Sequence, residues 1–445
     1  MDCIPAVIST APSRNTERIM SIPERTPNTP TQDTVCRDTM IRDHRDTLRS
    51  QTATLVGYHG YHNLGDDIFR RLVCRWLNNL LGIQRCYIST KQGATHGTDS
   101  TMTVIPFSTP ITSISRLLWL NVFRHSLASH ALIFSAGSIF TIQPFFLIYC
   151  VLRLLKLFRG HTLTILAIGV SIGPFRTHRD RHWCFKCLSL MNHVLVRDAQ
   201  SKRLIEGSPQ PIKSTLSFDL ALCCTATPTC AKYATQPPLL GVAVTERAFG
   251  TCAAAHSRNC EALLQALQRT LARFRNVRIR ILCVCTDDRD GDRNISHHLH
   301  ETLSKTWGDR IEVYAYENDQ VDDMVRWIAE CSVLISARMH AGIMGTLASI
   351  PVYQISYAEK IRNFYRHSQL STEYLYDHTH VTSHSMSEFI SLALAGQLQD
   401  FANAQKAILE DKGRLVSQQL ADLAQTLTSH RPLRIHSDMA LDRRA

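Results

Sequence analysis

The stretch "SVLISARMHAGIMGTLASIPVYQISYAEK" (residues 332–360) decides the architecture. An apolar run, a segment of small residues with helical spacing and a second apolar run follow one another, which reads as strand, helix, strand. Two strands joined through a helix run parallel, because a parallel pair needs a crossover. Arg338 and His340 fall where the first strand hands over to the helix, and Lys360 follows the second strand.

Working outward, the same alternation fills most of the chain. On the N-terminal side come "TATLVGY" (52–58), "GDDIFRRLVCRWLNNLLG" (65–82), "QRCYIST" (84–90), "HALIFSAG" (130–137), "TLTILAIGVS" (162–171) and "HVLVRD" (193–198). A Thr/Pro/Ala stretch without periodicity, "TATPTCAKYATQPP" (225–238), interrupts it as a linker. The alternation then restarts with "LLGVAVTE" (239–246), "VRIRILCVCTD" (277–287) and "IEVYAY" (311–316). The fold class expected is α/β, with two doubly wound Rossmann-like domains facing a cleft, spanning residues 51–224 and 239–372. Residues 373–445 are expected to supply C-terminal helices and a tail. Residues 1–50, with "SIPERTPNTPTQDT" (21–34), are expected to be a disordered extension.

Composition narrows the function. A hydrophobic content of 44% with 20% charged residues describes a globular protein, and a formal charge of +11 favours an acidic partner. Nucleic acid is not expected, since no basic strands with interleaved aromatics and no recognition helix appear. Without an apolar leader the 15 cysteines read as reduced thiols in a cytoplasmic setting. No metal is expected: "HRDRHWCFKC" offers His178, His182, Cys184 and Cys187 without a second ligand cluster, and "HHLH" (297–300) reads as a solvated helix face. The uncharged run from Ala131 to Leu152 reads as a buried strand, a loop and a helix rather than a membrane span, because Gly137, Gln143 and Pro144 divide it.

Ligands of open parallel sheets bind beyond the carboxyl ends of strands, where helix N-termini present free N–H groups. Four segments have that placement: "GYHGYHNLGDD" (57–67), "SAGSIF" (135–140), "VTER" (244–247) and "SARMH" (336–340). The first lacks a P-loop ending, and Asp66 reads either as a helix cap or, with Asn63 and Gly65, as part of a hydroxyl-binding loop. In the last, Arg338 and a helix N-terminus make an anion site, with His340 beside them as a general acid or base. A structural ion pair for Arg338 and a core position for His340 are the other reading. Arg247 occupies an equivalent strand end.

Taken in order, "GYHGYHNLGDD", "LIFSAGSIF", "LAIGVSIGPF", "VLVRDAQSKRLIEG", "LSFDLAL", "GVAVTER" and the stretch from Ile335 to Lys360 resemble the polysaccharide pyruvyl transferase family, over roughly residues 52–370. The resemblance implies a GT-B-like pair of domains, with the acceptor on the N-terminal side and the donor on the C-terminal side. It also implies transfer of a pyruvyl group from phosphoenolpyruvate to two hydroxyls of one sugar in a surface polysaccharide or its precursor, forming a ketal and releasing phosphate. No cofactor is implied beyond phosphoenolpyruvate as co-substrate, the acceptor implied is a sugar or a lipid-linked oligosaccharide, and a peripheral contact through Arg153, Lys156 and Arg159 with the inner face of the membrane fits a surface-polysaccharide pathway. By position, Arg338 and His340 match the family's Arg-x-His, Arg247 an arginine that holds the donor, and Lys360 a lysine after the last strand. Asn63, Gly65 and Asp66 are then the acceptor side. The chain departs from the family at Ser135, Ala136, Gly137 and Ser138, where a run of glycines is usual. Two other functions fit the same reading: a nucleotide-sugar glycosyltransferase, for which Glu246 or Glu359 would have to bind ribose, and a non-catalytic scaffold.

Overall fold

The computed structural model describes residues 51–91, 103–109, 116–141, 143–224, 237–249, 253–287, 291–317 and 319–429. The extension expected over 1–50, most of the expected linker and the end of the tail lie outside the described residues.

In chain order the first half contains β1 (Thr52–His59), α1 (Leu64–Leu81), β2 (Arg85–Lys91), β3 (Thr103–Thr109), α2 (Arg116–Leu127) and β4 (Ala131–Phe134). It continues through α3 (Phe145–Arg159), β5 (Thr164–Val170), α4 (His178–Ser189), β6 (His193–Val196), α5 (Ala199–Glu206) and β7 (Ser214–Leu216). These strands form one parallel sheet in the order β3-β2-β1-β4-β5-β6-β7. The second half contains β8 (Leu239–Ala243), α6 (Ala253–Arg273), β9 (Arg278–Cys283), α7 (Arg293–Trp307), β10 (Ile311–Ala315), α8 (Val321–Ala329) and β11 (Val333–Ser336). After it come α9 (Met339–Leu347), β12 (Val352–Ser356), α10 (Glu359–Ser368), β13 (Leu375–Asp377), α11 (Ser383–Leu394) and α12 (Gln399–Ser429). Its sheet is also parallel, ordered β10-β9-β8-β11-β12-β13.

Strands β4, β8, β11 and β12 are buried at every position, as expected where helices cover both faces of a parallel sheet. The strand order reverses between β1 and β4 in one sheet and between β8 and β11 in the other, and crevices open at such points. The four loops singled out in the sequence are the ones that follow these four strands. The uncharged run from Ala131 divides into β4, a loop and α3, and no helix among the described residues is long and apolar enough to cross a membrane.

The described residues from 51 to 429 belong to a single unit. The connection between β1 and α1 is stitched to the second sheet: Asn63 makes an antiparallel bridge with Cys285, Leu64 N donates to Val284 O (3.1 Å), and Thr286 N donates to His62 O (2.9 Å). Helix α1 adds side-chain ties. Arg70 pairs with Asp319, Tyr316 donates to Asp67 Oδ2 (2.7 Å) and Arg71 donates to Asp322 (2.9 Å). The last helix returns to the first half, where Trp76 Nε1 donates to Leu420 O (2.9 Å) and Gly413 lies against Leu222, whose carbonyl oxygen would be 2.5 Å from any added Cβ.

Arg70 is a cation buried between Asp67 and Asp319, so Arg70→Ala is expected to lower stability by about 3–5 kcal/mol, the range for removing one partner of a buried pair. Denaturant unfolding would read it, and a loss below about 1 kcal/mol would show that this contact does not hold the halves together.

Candidate active site between the two sheets

A cavity of about 440 Å³ lies where the strand ends of the two sheets meet. The first half contributes Tyr58 near the end of β1, Asn63, Gly65 and Asp66 after it, Gly137 and Ser138 after β4, and Arg197 after β6; the second half contributes Arg338 and His340 after β11, with Tyr357 and Lys360 after β12. A second cavity of about 420 Å³ adjoins it, sharing Ser138, Arg197, Met339 and Lys360 and adding Ser171, Gln200, Glu359 and Asn363.

Local chemistry places each group. Asn63 is the cap of α1: its side-chain oxygen accepts from Gly65 N (3.2 Å) and its amide donates to Asp66 Oδ2 (2.9 Å). The cap is therefore Asn63 rather than Asp66, which is left in the first turn facing the cavity. Arg338 stands just before α9, and its guanidinium is gripped from both sides of the fork by Asp292, at 2.9 and 3.0 Å from Nε. Burial alone would lower the Arg338 pKa, but Asp292 outweighs it and keeps the cation charged. The structural ion pair considered for Arg338 thus exists, and the residue lines the cavity as well.

His340 is placed by three contacts. Its Nε2 lies 3.7 Å from Asp219 Oδ1, its ring meets Phe69 edge to face at 5.5 Å, and the backbone of Gly65 presses on its other side. A Cβ at Gly65 would sit 1.9 Å from His340 Nδ1, so only glycine fits there. Asp219 also accepts from Arg197 Nη1 (2.8 Å), while Arg197 Nε donates to Ser171 (2.9 Å). Burial would raise Asp219, but His340 and Arg197 prevail and hold it at about 2, ionised throughout the working range. Arg197 needs close approach too, since a Cβ at Gly137 would lie 2.3 Å from its Nη1. The altered loop at 135–138 retains the one glycine that Arg197 requires.

Two facing groups have pKa values displaced toward neutrality. Removal from solvent and the neighbouring Asp67 push Asp66 up to about 7, against the pull of Lys360, Arg197 and Arg338. Lys360 keeps part of its surface exposed, yet desolvation along the cleft, then Arg197 and Arg338, bring it down to about 8, and Asp66 opposes this. A cavity that gathers cations in this way is suited to an anion, and one that holds an acid and a base near neutrality is suited to moving protons.

A family model for polysaccharide pyruvyl transferases matches residues 63–359. The chain belongs to the polysaccharide pyruvyl transferase family. Solved structures place this pyruvyl transferase family member among GT-B-like folds. A glycosyltransferase from Rickettsia africae ESF-5 is similar with TM-score 0.53 and 11% identity, covering 86% of this chain and 100% of its own. Sucrose-phosphate synthase from Thermosynechococcus elongatus is similar with TM-score 0.53 and 12% identity, covering 86% and 100%. The Anabaena protein HepE, solved in complex with UDP and glucose, is similar with TM-score 0.52 and 11% identity, covering 85% and 99%. At these identities the likeness is one of fold. A search of curated proteins gives no match.

Of the residues expected from the sequence, Asn63, Gly65, Asp66, Arg338, His340 and Lys360 meet in this cavity. Arg247 does not line it: it is exposed on the short turn Glu246–Phe249 after β8, within electrostatic reach of Lys360 and Tyr357. Arg197, Asp219 and Asp292 were missed. Arg197 follows β6 within "VLVRD" just as Arg247 follows β8, and the same strand-end rule would have found it. Asp219 and Asp292 carry no local signal, because their partners are distant in sequence. Of the metal candidates, Cys184 and Cys187 are buried on α4 while His178 and His182 are exposed, and no cluster able to hold a metal ion occurs among the described residues.

Gly65→Ala is expected to push the His340 imidazole off Asp219 while costing only the roughly 1–3 kcal/mol typical of overpacking. The His340 ring resonances by NMR would shift; unchanged resonances would show that Gly65 does not position the ring. Asp66 gives a second test. Its native pKa, pushed up to about 7, exceeds the ordinary aspartate value of 3.8, so between those pH values the native state keeps a proton that the unfolded state has released. Its contribution therefore falls as pH rises from about 4 to 7, and Asp66→Asn should gain stability relative to the parent over that interval. Parallel stability curves for the two proteins would contradict the shift.

Proposed function

We propose that the protein transfers the pyruvyl group of phosphoenolpyruvate to two hydroxyls of one sugar in a polysaccharide or its precursor. The observation that carries this is the convergence of Arg197, Arg338 and Lys360 on one cavity that also contains His340 and Asp66. Phosphoenolpyruvate carries a carboxylate and a phosphate, and three cations beside a helix N-terminus match that charge. The adjoining cavity, with Ser171, Gln200, Glu359 and Asn363, offers the hydrogen-bonding side chains a sugar needs.

The reaction begins when an acid protonates the methylene carbon of the donor, giving oxocarbenium character at C2. A sugar hydroxyl oxygen then bonds to C2 and loses its proton to a base. The C2–O bond to phosphate breaks, a second hydroxyl of the same sugar closes the ring on C2, and its proton leaves with the phosphate. One hydroxyl proton is thereby replaced on the new methyl group and the other on inorganic phosphate, so the balance closes without a redox step or cofactor. Asp66 is assigned as the acid, because an anionic donor beside it favours its protonated form. His340 is assigned as the base, since ionised Asp219 orients the ring and stabilises the imidazolium.

Sugar-nucleotide glycosyl transfer is the alternative that the fold permits. Its ribose carboxylate would have to be Glu359, which is committed to Arg362 at 2.8 Å, or Glu246, which is exposed outside the cavity.

Calorimetric titration with phosphoenolpyruvate is expected to show binding that Arg338→Ala and Arg197→Ala weaken. With an acceptor, His340→Ala is expected to lower turnover roughly 10²–10⁴-fold while leaving donor binding largely intact. Binding of a nucleotide sugar with no response to phosphoenolpyruvate would overturn the reading.

A further inference from the structure

Six of the nine large apolar side chains that stand exposed among the described residues lie on two neighbouring helices: Leu117 and Leu120 on α2, and Phe146, Leu154, Leu157 and Phe158 on α3. Leu157 is 77% exposed and Phe158 64%. The helices touch through the edge-to-face pair Phe123–Phe158 at 6.2 Å, and α3 meets α4 through Phe146–Trp183 at 4.7 Å. Water-facing helix surfaces are normally polar, so a contiguous apolar face of this kind marks a contact surface.

Its charge says what covers it. From residue 100 to 179 the sequence has no Asp or Glu and seven Arg or Lys. Helices α2, α3 and α4 together carry eight basic residues and one acidic one, Asp180. Arg124, Arg153 and Arg179 are exposed beside the apolar residues, and Lys186 lies over the Trp183 ring at 4.9 Å. A partner protein of ordinary composition requires no such one-sided charge, whereas an anionic lipid surface does. Leu and Phe can enter the acyl boundary while Arg and Lys reach back to phosphate headgroups and Trp183 sits at their level.

We propose that the outer face of α2 and α3, rimmed by basic residues of α2, α3 and α4, docks this protein onto an anionic lipid bilayer as a monotopic contact. At 15 residues α3 is too short to span a bilayer and lies along its surface instead. Gln143, immediately before Pro144 and α3, lines the 440 Å³ cavity and donates to Tyr58 Oη (2.9 Å). Docking therefore joins the lipid surface to the rim of the site, and it holds whether or not the reaction is pyruvyl transfer.

The test is co-sedimentation of the full chain with vesicles of phosphatidylglycerol and, separately, of phosphatidylcholine. Binding to phosphatidylglycerol that high salt releases, with little binding to phosphatidylcholine, is the expected result. Leu154→Glu combined with Leu157→Glu, both exposed on α3, should abolish it without changing the melting temperature. Arg153→Ala should weaken it roughly 5-fold, the effect of about 1 kcal/mol per basic residue near a charged bilayer. Leu80→Glu, an exposed leucine on α1, should bind like the parent. Absence of binding to phosphatidylglycerol, or equal binding by the double variant, would overturn the proposal. So would a parent that forms dimers which the double variant dissociates and that ignores vesicles, because the face would then belong to a second copy.

Discussion

The cavity exists only because two sheets are held at one distance, and the connection between β1 and α1 sets that distance. Backbone pairing of Asn63 with Cys285 and of Leu64 with Val284 makes this loop an extra edge of the second half. The same few residues carry Asn63, Gly65 and Asp66 to the site. Structural and chemical roles are therefore not separable here: the loop that joins the halves also presents a carboxyl group to the cations of the other half, and its glycine sets the height of His340.

Electrostatics follow from that placement. A protein cannot gather Arg197, Arg338, Lys360 and His340 in a cleft without compensating charge. Asp292 is committed to Arg338, and Asp219 serves both Arg197 of the first half and His340 of the second. Asp66 and Lys360 are left as a pair whose pKa values lie near 7 and 8, so their ionisation responds to whatever enters. An anion entering the cavity favours the charged lysine and the neutral carboxyl together, and in the reaction proposed above that would couple donor capture to the supply of a proton.

The fold was legible because alternating apolar runs and amphipathic segments repeat along the chain, and loops after parallel strands are where such sheets bind ligands. That rule pointed to Asn63, Gly65, Asp66, Arg338 and His340, while Lys360 came from the family resemblance. It failed in two ways. Arg247 satisfies the rule yet is exposed on a turn and is not among the cavity-lining residues, since position at a strand end does not by itself put a side chain in the cavity. Asp219 and Asp292 obey no local rule, for a carboxylate is recruited by a cation that only the tertiary fold brings near: Arg338 finds its partner 46 positions away. The cap of α1 shows the limit at finer scale, because Asn63 and Asp66 both suit the position and only the backbone bend, with His62 at φ 48°, selects Asn63.

The central claim is that cations from both halves receive a single small anion bearing a carboxylate and a phosphate. A crystal structure of the protein grown with phosphoenolpyruvate tests it most directly. The account predicts the donor in the 440 Å³ cavity, bonded to Arg197 of the first half and to Arg338 and Lys360 of the second, with its methylene carbon facing Asp66. Density for the donor confined to one half, or away from these residues, would contradict it.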